Sequence, residues 1–124
     1  MNQGLKILIA DDSDLMRIII KGFFLKLLDT PEISETTNLP ATFDLLAVKN
    51  FDFLLLDINM PKGDSDPNTV REILSIQKDI KICMFSSNDK ATLEKSYLDA
   101  GAIGFIQKDG NMSSSLQEIL THNF

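Results

Sequence analysis

Two adjacent aspartates, Asp11 and Asp12, close an apolar run that begins at Leu5, and a third, Asp57, closes the run Phe53-Leu54-Leu55-Leu56. Carboxylates at the ends of two strands are the raw material of a shared acidic site that holds a cation or carries a nucleophile. A single acid after a strand is more often a turn former or a helix cap. Two occurrences in one small domain argue for more. At an effective dielectric of about 20, two like charges about 4 Å apart repel by roughly 4 kcal/mol, so three carboxylates together require a cation, a lysine or protons. Ser86 and Lys108 lie at the ends of two later apolar runs, and Lys108 is the cationic partner the trio needs.

These residues require a frame that brings strand ends together. Lys6 to Ala10 is a continuous β-rich apolar run, the pattern of a strand covered on both faces. Ser13 or Asp14 can cap a first helix whose apolar positions Leu15, Ile18, Ile19, Phe23 and Leu27 recur at helical spacing until Asp29-Thr30-Pro31 stops it. Glu32 to Thr36 is a short second strand, and Leu39 to Val48 a second helix with Phe43, Leu46 and Ala47 on one face. Phe51 to Leu56 is a buried strand, followed by a loop dense in helix breakers that delays the third helix to near Asn68, with Val70, Ile73, Leu74 and Gln77 as its stripe. Ile80 to Phe85, Lys90 to Ala100, Ile103 to Gln107 and Ser113 to Thr121 complete the alternation, with Gly101 suited to the left-handed position past the fourth helix. Five strand–helix units with buried strands predict an α/β fold, a flavodoxin-like doubly wound parallel sheet of order 2-1-3-4-5 with helices on both faces. That order sets strands one and three side by side at the switch point, where such sheets bind ligands, and brings Asp11, Asp12 and Asp57 together.

The chain has 124 residues and reads as a single domain over 1–124. Its formal net charge of −6 argues against direct binding to nucleic acid or an anionic membrane, both of which need clustered Lys and Arg. No apolar stretch approaches the roughly 20 residues of a membrane span, and no charged lead opens into a signal core, so a cytoplasmic location is expected. Cys83, the sole cysteine, has apolar neighbours and reads as packing. His122, the sole histidine, sits near the C-terminus and is expected to be solvated, which leaves no multi-histidine zinc site and no cysteine–histidine pair.

The acidic pair, the Asp57-Ile58-Asn59-Met60-Pro61 segment, the Ser86-Ser87 turn and the run Gly101 to Lys108 together resemble the receiver domain of two-component response regulators. Each motif alone is weak, and the ordered set is specific and spans nearly the whole chain. The resemblance implies that Asp57 is the phosphoacceptor, receiving a phosphoryl group from a histidine kinase, a phosphotransfer protein or a small donor. It implies Mg²⁺ held by Asp11 or Asp12, Asp57 and the main-chain carbonyl of Asn59. It implies that Lys108 pairs with Asp57 before reaction and with a phosphoryl oxygen afterwards, that Ser86 donates its hydroxyl to the phosphoryl group, and that the rotamer of Phe105 follows Ser86. The output surface would be helix four, strand five and helix five, acting on a downstream protein as a monomer or a phosphorylation-dependent dimer. Self-catalysed phosphotransfer and dephosphorylation would make it a signalling domain rather than an enzyme in the turnover sense, with Asn59 and Asn88 beside the water path.

Two features depart from the family's pattern. Asp109 replaces the common proline after Lys108, so a cis bond there would carry the higher non-proline cost of about 2.5 to 4 kcal/mol. Ser65-Asp66-Pro67 stands where a glycine and an apolar residue often open helix three, which predicts a late or loose helix. The competing readings are a pseudo-receiver that works by protein contact without phosphorylation, an aspartate-nucleophile phosphatase, and a flavin-binding flavodoxin. The phosphatase would want an acid where Asn59 stands, and the flavodoxin's phosphate would be repelled by Asp11-Asp12-Ser13-Asp14. With no linker or basic reading helix after helix five, a stand-alone receiver or an excised domain is expected.

Overall fold

A computed structural model describes residues 4–124. Five strands, β1 (Lys6–Ala10), β2 (Glu32–Thr36), β3 (Phe53–Asp57), β4 (Lys81–Ser86) and β5 (Gly104–Gln107), form one sheet of order β2-β1-β3-β4-β5, with every adjacent pair parallel. The helices α1 (Asp14–Leu27), α2 (Leu39–Val48), α3 (Pro67–Ile76), α4 (Lys90–Asp99) and α5 (Met112–Asn123) alternate with them as the patterning predicts.

Alternate residues of each strand feed two cores. Leu8, Ala10, Leu54, Leu56, Ile82, Met84 and Phe105 face a layer that includes Leu46, Val70, Ile73 and Tyr97 from α2, α3 and α4. Ile7, Ile9, Phe53, Leu55, Cys83, Phe85 and Ile106 face Ile20, Phe24, Leu116 and Leu120 from α1 and α5. Burial on both faces is why these strands read as unbroken apolar runs. Each such side chain contributes about 1.5 to 3 kcal/mol, enough to hold the strand ends in place against carboxylate repulsion.

Side-chain caps start the first four helices. The Ser13 side chain accepts the Met16 N–H to cap α1, Asn38 caps α2 through Ala41, and Asp89 caps α4 through Ala91. The third helix is neither late nor loose. It begins at Pro67, one residue ahead of the expected start, with a reciprocal capping box between Asp66 and Thr69 and with Val70 and Ile73 buried. The preceding loop turns through Lys62 and Gly63, both at positive φ.

The stripe expected on α1 is corrected. Leu15 and Ile18 are 66% and 68% exposed, while Ile20 and Phe24 are buried, with Met16, Phe23 and Leu27 packed against the same core. On α2, Ala47 is exposed and Thr42 is buried in its place, its hydroxyl 2.7 Å from that of Thr36. Gly101 sits at φ +117 beyond α4, as its position suggested.

Candidate functional site

The register decides which acids meet. β1 and β3 are neighbours with Ala10 opposite Leu56, so Asp11 leaves β1 beside Asp57, the last residue of β3. One carboxylate oxygen from each of Asp11, Asp12 and Asp57 lies within 4.8 Å of the others. Asp11 and Asp57 are buried and Asp12 is exposed, which leaves the cluster open on one side.

Asp11 is held from three directions. Its N–H donates to the Thr36 carbonyl at 3.1 Å, its own carbonyl accepts Arg17 Nη1 at 2.7 Å, and its Oδ1 accepts the Ser13 N–H at 2.8 Å. Arg17 is itself fixed by ion pairs with Asp14 and Glu35. The second oxygen, Oδ2, receives no directed hydrogen bond and has only the Lys108 ammonium 3.0 Å away as an ion contact. A buried carboxylate oxygen without a donor is a costly arrangement unless a cation completes it. The donor set is therefore fitted to a hard cation: oxygen atoms converging from three acids, one of them without a directed hydrogen bond. These residues could bind a metal.

Asp57 Oδ1 accepts the Asn59 N–H at 3.3 Å, and Oδ2 lies 3.4 Å from Lys108 Nζ. Burial pushes the Asp57 carboxyl up to about 6, the negative charge of Asp11 adds to the rise, and Lys108 and the Asn59 N–H oppose it. Lys108 reaches both acids from the end of β5, where its N–H donates to the Ser86 carbonyl at 2.8 Å and its ammonium lies 4.9 Å from the centre of the Phe85 ring. Asp109 in place of proline leaves that reach intact, and every peptide bond among the described residues is trans.

Ser86 ends β4, one position past the Asp57–Phe85 pairing, and is fully buried. Its hydroxyl oxygen accepts the Asn88 N–H at 2.9 Å, which leaves the hydroxyl proton free to be donated. Asn59 and Asn88 are joined across the mouth of the site, the Asn88 amide donating to Asn59 Oδ1 at 2.9 Å. Phe105 is 1% exposed, turned inward on the α4 side of the sheet. Cys83 is buried, and its thiol is raised by desolvation, in keeping with a packing role.

Sequence reasoning missed the contacts that hold these groups. The Arg17 grip on the Asp11 carbonyl comes from a half-buried position on α1, and nothing in the local pattern marks it. The Ser65 hydroxyl donates to the Asp57 carbonyl at 3.3 Å, and the Tyr97 hydroxyl of α4 donates to the Ser65 carbonyl at 3.1 Å. A lone phenol on the inner side of an otherwise apolar helix face was the available signal.

The response regulator receiver domain profile matches residues 7–120. The chain is 34% identical over 106 residues to a protein-glutamate methylesterase/protein-glutamine glutaminase of Saccharophagus degradans, covering 84% of this chain and 28% of that one. It is 29% identical over 120 residues to a nitrate/nitrite response regulator protein homolog of Haemophilus influenzae, covering 96% of this chain and 57% of the relative. The chain thus spans only part of the length of these relatives. The fold is similar to that of a CheY-like response regulator receiver domain protein from Methanospirillum hungatei, at TM-score 0.82 and 19% identity over 97% of this chain and 94% of the other. It is equally similar to a CheY-like receiver domain from Methylobacillus flagellatus, at TM-score 0.82 and 17% identity over 98% and 100% of the two chains. With its acids at the switch point of a five-stranded parallel sheet and a family match over nearly its whole length, the chain belongs to the response regulator receiver domain family.

Proposed function

We propose that Asp57 is the phosphoacceptor of this receiver domain and that the reaction depends on Mg²⁺ held by Asp11, Asp12, Asp57 and the Asn59 carbonyl. The observation that carries the reading is the Asp57 carboxylate at the buried end of β3, beside the buried Asp11, with the Lys108 ammonium in ion contact with both acids.

A carboxylate oxygen of Asp57 attacks the phosphorus of a phosphohistidine or of a small acyl phosphate. An Asp57 O–P bond forms as the P–N or P–O bond to the donor breaks, and the imidazole or carboxylate leaves with the bonding electrons. A bound Mg²⁺ supplies charge neutralisation and orientation for the transferring group. Lys108 moves its pairing from Asp57 Oδ2 to a phosphoryl oxygen, and Ser86 donates its free hydroxyl proton to another. Asn59 and Asn88, bridged over the site, govern the approach of the water that hydrolyses the acyl phosphate. Chemistry within the domain is thus phosphotransfer and self-dephosphorylation, with no further substrate turned over.

The donor is a histidine kinase or a phosphotransfer protein, and the domain works in the cytoplasm. No helix among the described residues is long and apolar enough to cross a membrane. The output face is α4, β5 and α5, where a groove of about 350 Å³ is lined by Lys90, Leu98, Phe105, Glu118, Ile119 and His122. It serves a downstream protein, as a monomer or a phosphorylation-dependent dimer. Intact mass after incubation with acetyl phosphate and Mg²⁺ tests the reading. The expected result is a phosphate-sized gain that needs the metal and is absent from Asp57→Ala. No gain with acetyl phosphate or with phosphorylated kinases favours a module that works by contact alone.

A further inference from the structure

A chain of three contacts connects the acceptor to α4 by a route separate from Ser86. The Ser65 N–H donates to the Ile58 carbonyl at 2.8 Å and the Ser65 hydroxyl to the Asp57 carbonyl at 3.3 Å, so the loop before α3 is tied to the last residue of β3. The Tyr97 hydroxyl donates to the Ser65 carbonyl at 3.1 Å, and both residues are buried. The Tyr97 ring lies 5.9 Å from the Phe105 ring, tilted at 58°.

Phe105 is already inside, packed against Tyr97 with almost no exposed surface, and it has no polar group with which to sense the site. Tyr97 has one. Ser65 is buried, so the loss of the phenol would strand its carbonyl without a partner, and the bond resists breaking unless α4 and the loop move together. The phenol stays neutral, since burial and the nearby Asp66 and Asp64 raise it above its ordinary range. From this geometry we infer that Tyr97 is a positioning residue that couples α4 to the acceptor strand through Ser65, so that displacement of α4 and modification of Asp57 bias one another.

The inference rests on Asp57 being the acceptor, and coupling between two sites is necessarily reciprocal. A partner that grips α4 in its resting position would hold the Ser65 loop and the Asp57 main chain in their resting geometry. Phosphorylation that shifts Asp57 would release or redirect α4 through the same bond.

Tyr97 is the chain's only tyrosine and there is no tryptophan, so one fluorinated tyrosine gives one unambiguous resonance. Two measurements test the coupling. In Tyr97→Phe, which keeps the ring against Phe105, the Ser65 and Ile58 amide resonances should move, and the Ser65 amide should exchange about fivefold faster for the loss of one buried hydrogen bond. Unmoved amides with unchanged exchange would overturn the coupling whether or not Asp57 is modified. In fluorotyrosine-labelled wild type treated with acetyl phosphate and Mg²⁺, a mass gain with a shifted fluorine resonance supports it. A mass gain with an unshifted resonance refutes the coupling and leaves the acceptor reading in place. Absence of any mass gain refutes the acceptor reading, and the amide comparison then decides whether the link itself holds.

Discussion

Replacing Asp57 with asparagine should stabilise the metal-free protein at neutral pH and do so progressively less as the solution is acidified. The Asp57 carboxyl rises from 3.8 to about 6 in the folded chain because it is buried beside Asp11. Each tenfold change in proton affinity is worth about 1.4 kcal/mol, so the ionised form carries a penalty of about 3 kcal/mol in the folded state. The folded chain holds this proton more tightly than the unfolded chain. Wild-type stability from this group is therefore complete below pH 3.8, falls across the interval, and is lost above about pH 6. Asparagine has no such titration. Urea denaturation of both proteins in chelator should show the variant's advantage growing by about 2 kcal/mol between about pH 4 and about pH 7. Added Mg²⁺ should narrow the gap at neutral pH by stabilising the wild type, because a cation at Asp11, Asp12 and Asp57 offsets the same repulsion. A difference that stays flat with pH, or that shrinks as the pH rises, would refute the reasoning.

Three further outcomes follow from the geometry. Lys108→Met removes the ammonium that faces Asp11 and Asp57, and should cost about 2 to 4 kcal/mol at neutral pH, much of it recovered on acidification or with Mg²⁺; thermal melts at two pH values check it. Asp66→Ala removes the side-chain half of the α3 capping box, the carboxylate that accepts the Thr69 N–H, and should cost about 1 kcal/mol in urea denaturation, with accelerated amide exchange confined to α3 and the loop before it. Ile20→Ala should destabilise by about 2 to 5 kcal/mol while Ile18→Ala changes little, which checks by denaturant midpoint the face that α1 buries.

The strands were legible because burial on both faces leaves them continuously apolar, and the acids stood out because they interrupt those runs at the carboxyl ends. The α1 face was not legible, since Leu15, Ile18, Ile20, Phe24 and Leu25 put apolar residues on more than one side of the helix. Only the position of the sheet decides between them. The buried Thr36–Thr42 pair and the Tyr97–Ser65 link join residues on different elements, and local spacing carries no record of such contacts. The firmness of α3 is visible in principle, because Asp66 followed by Pro67 and Thr69 is a capping signature that outweighs the departure from the family's pattern at Ser65.

The most direct test of the central claim is to locate the phosphoryl group rather than only to weigh it. Reduction with borohydride after treatment with acetyl phosphate and Mg²⁺ converts an aspartyl phosphate to homoserine, and tandem mass spectrometry reads its position. Homoserine at position 57, dependent on Mg²⁺, is the predicted result. Homoserine at position 11 or 12, or none at all in folded protein under conditions that modify other receivers, would contradict it.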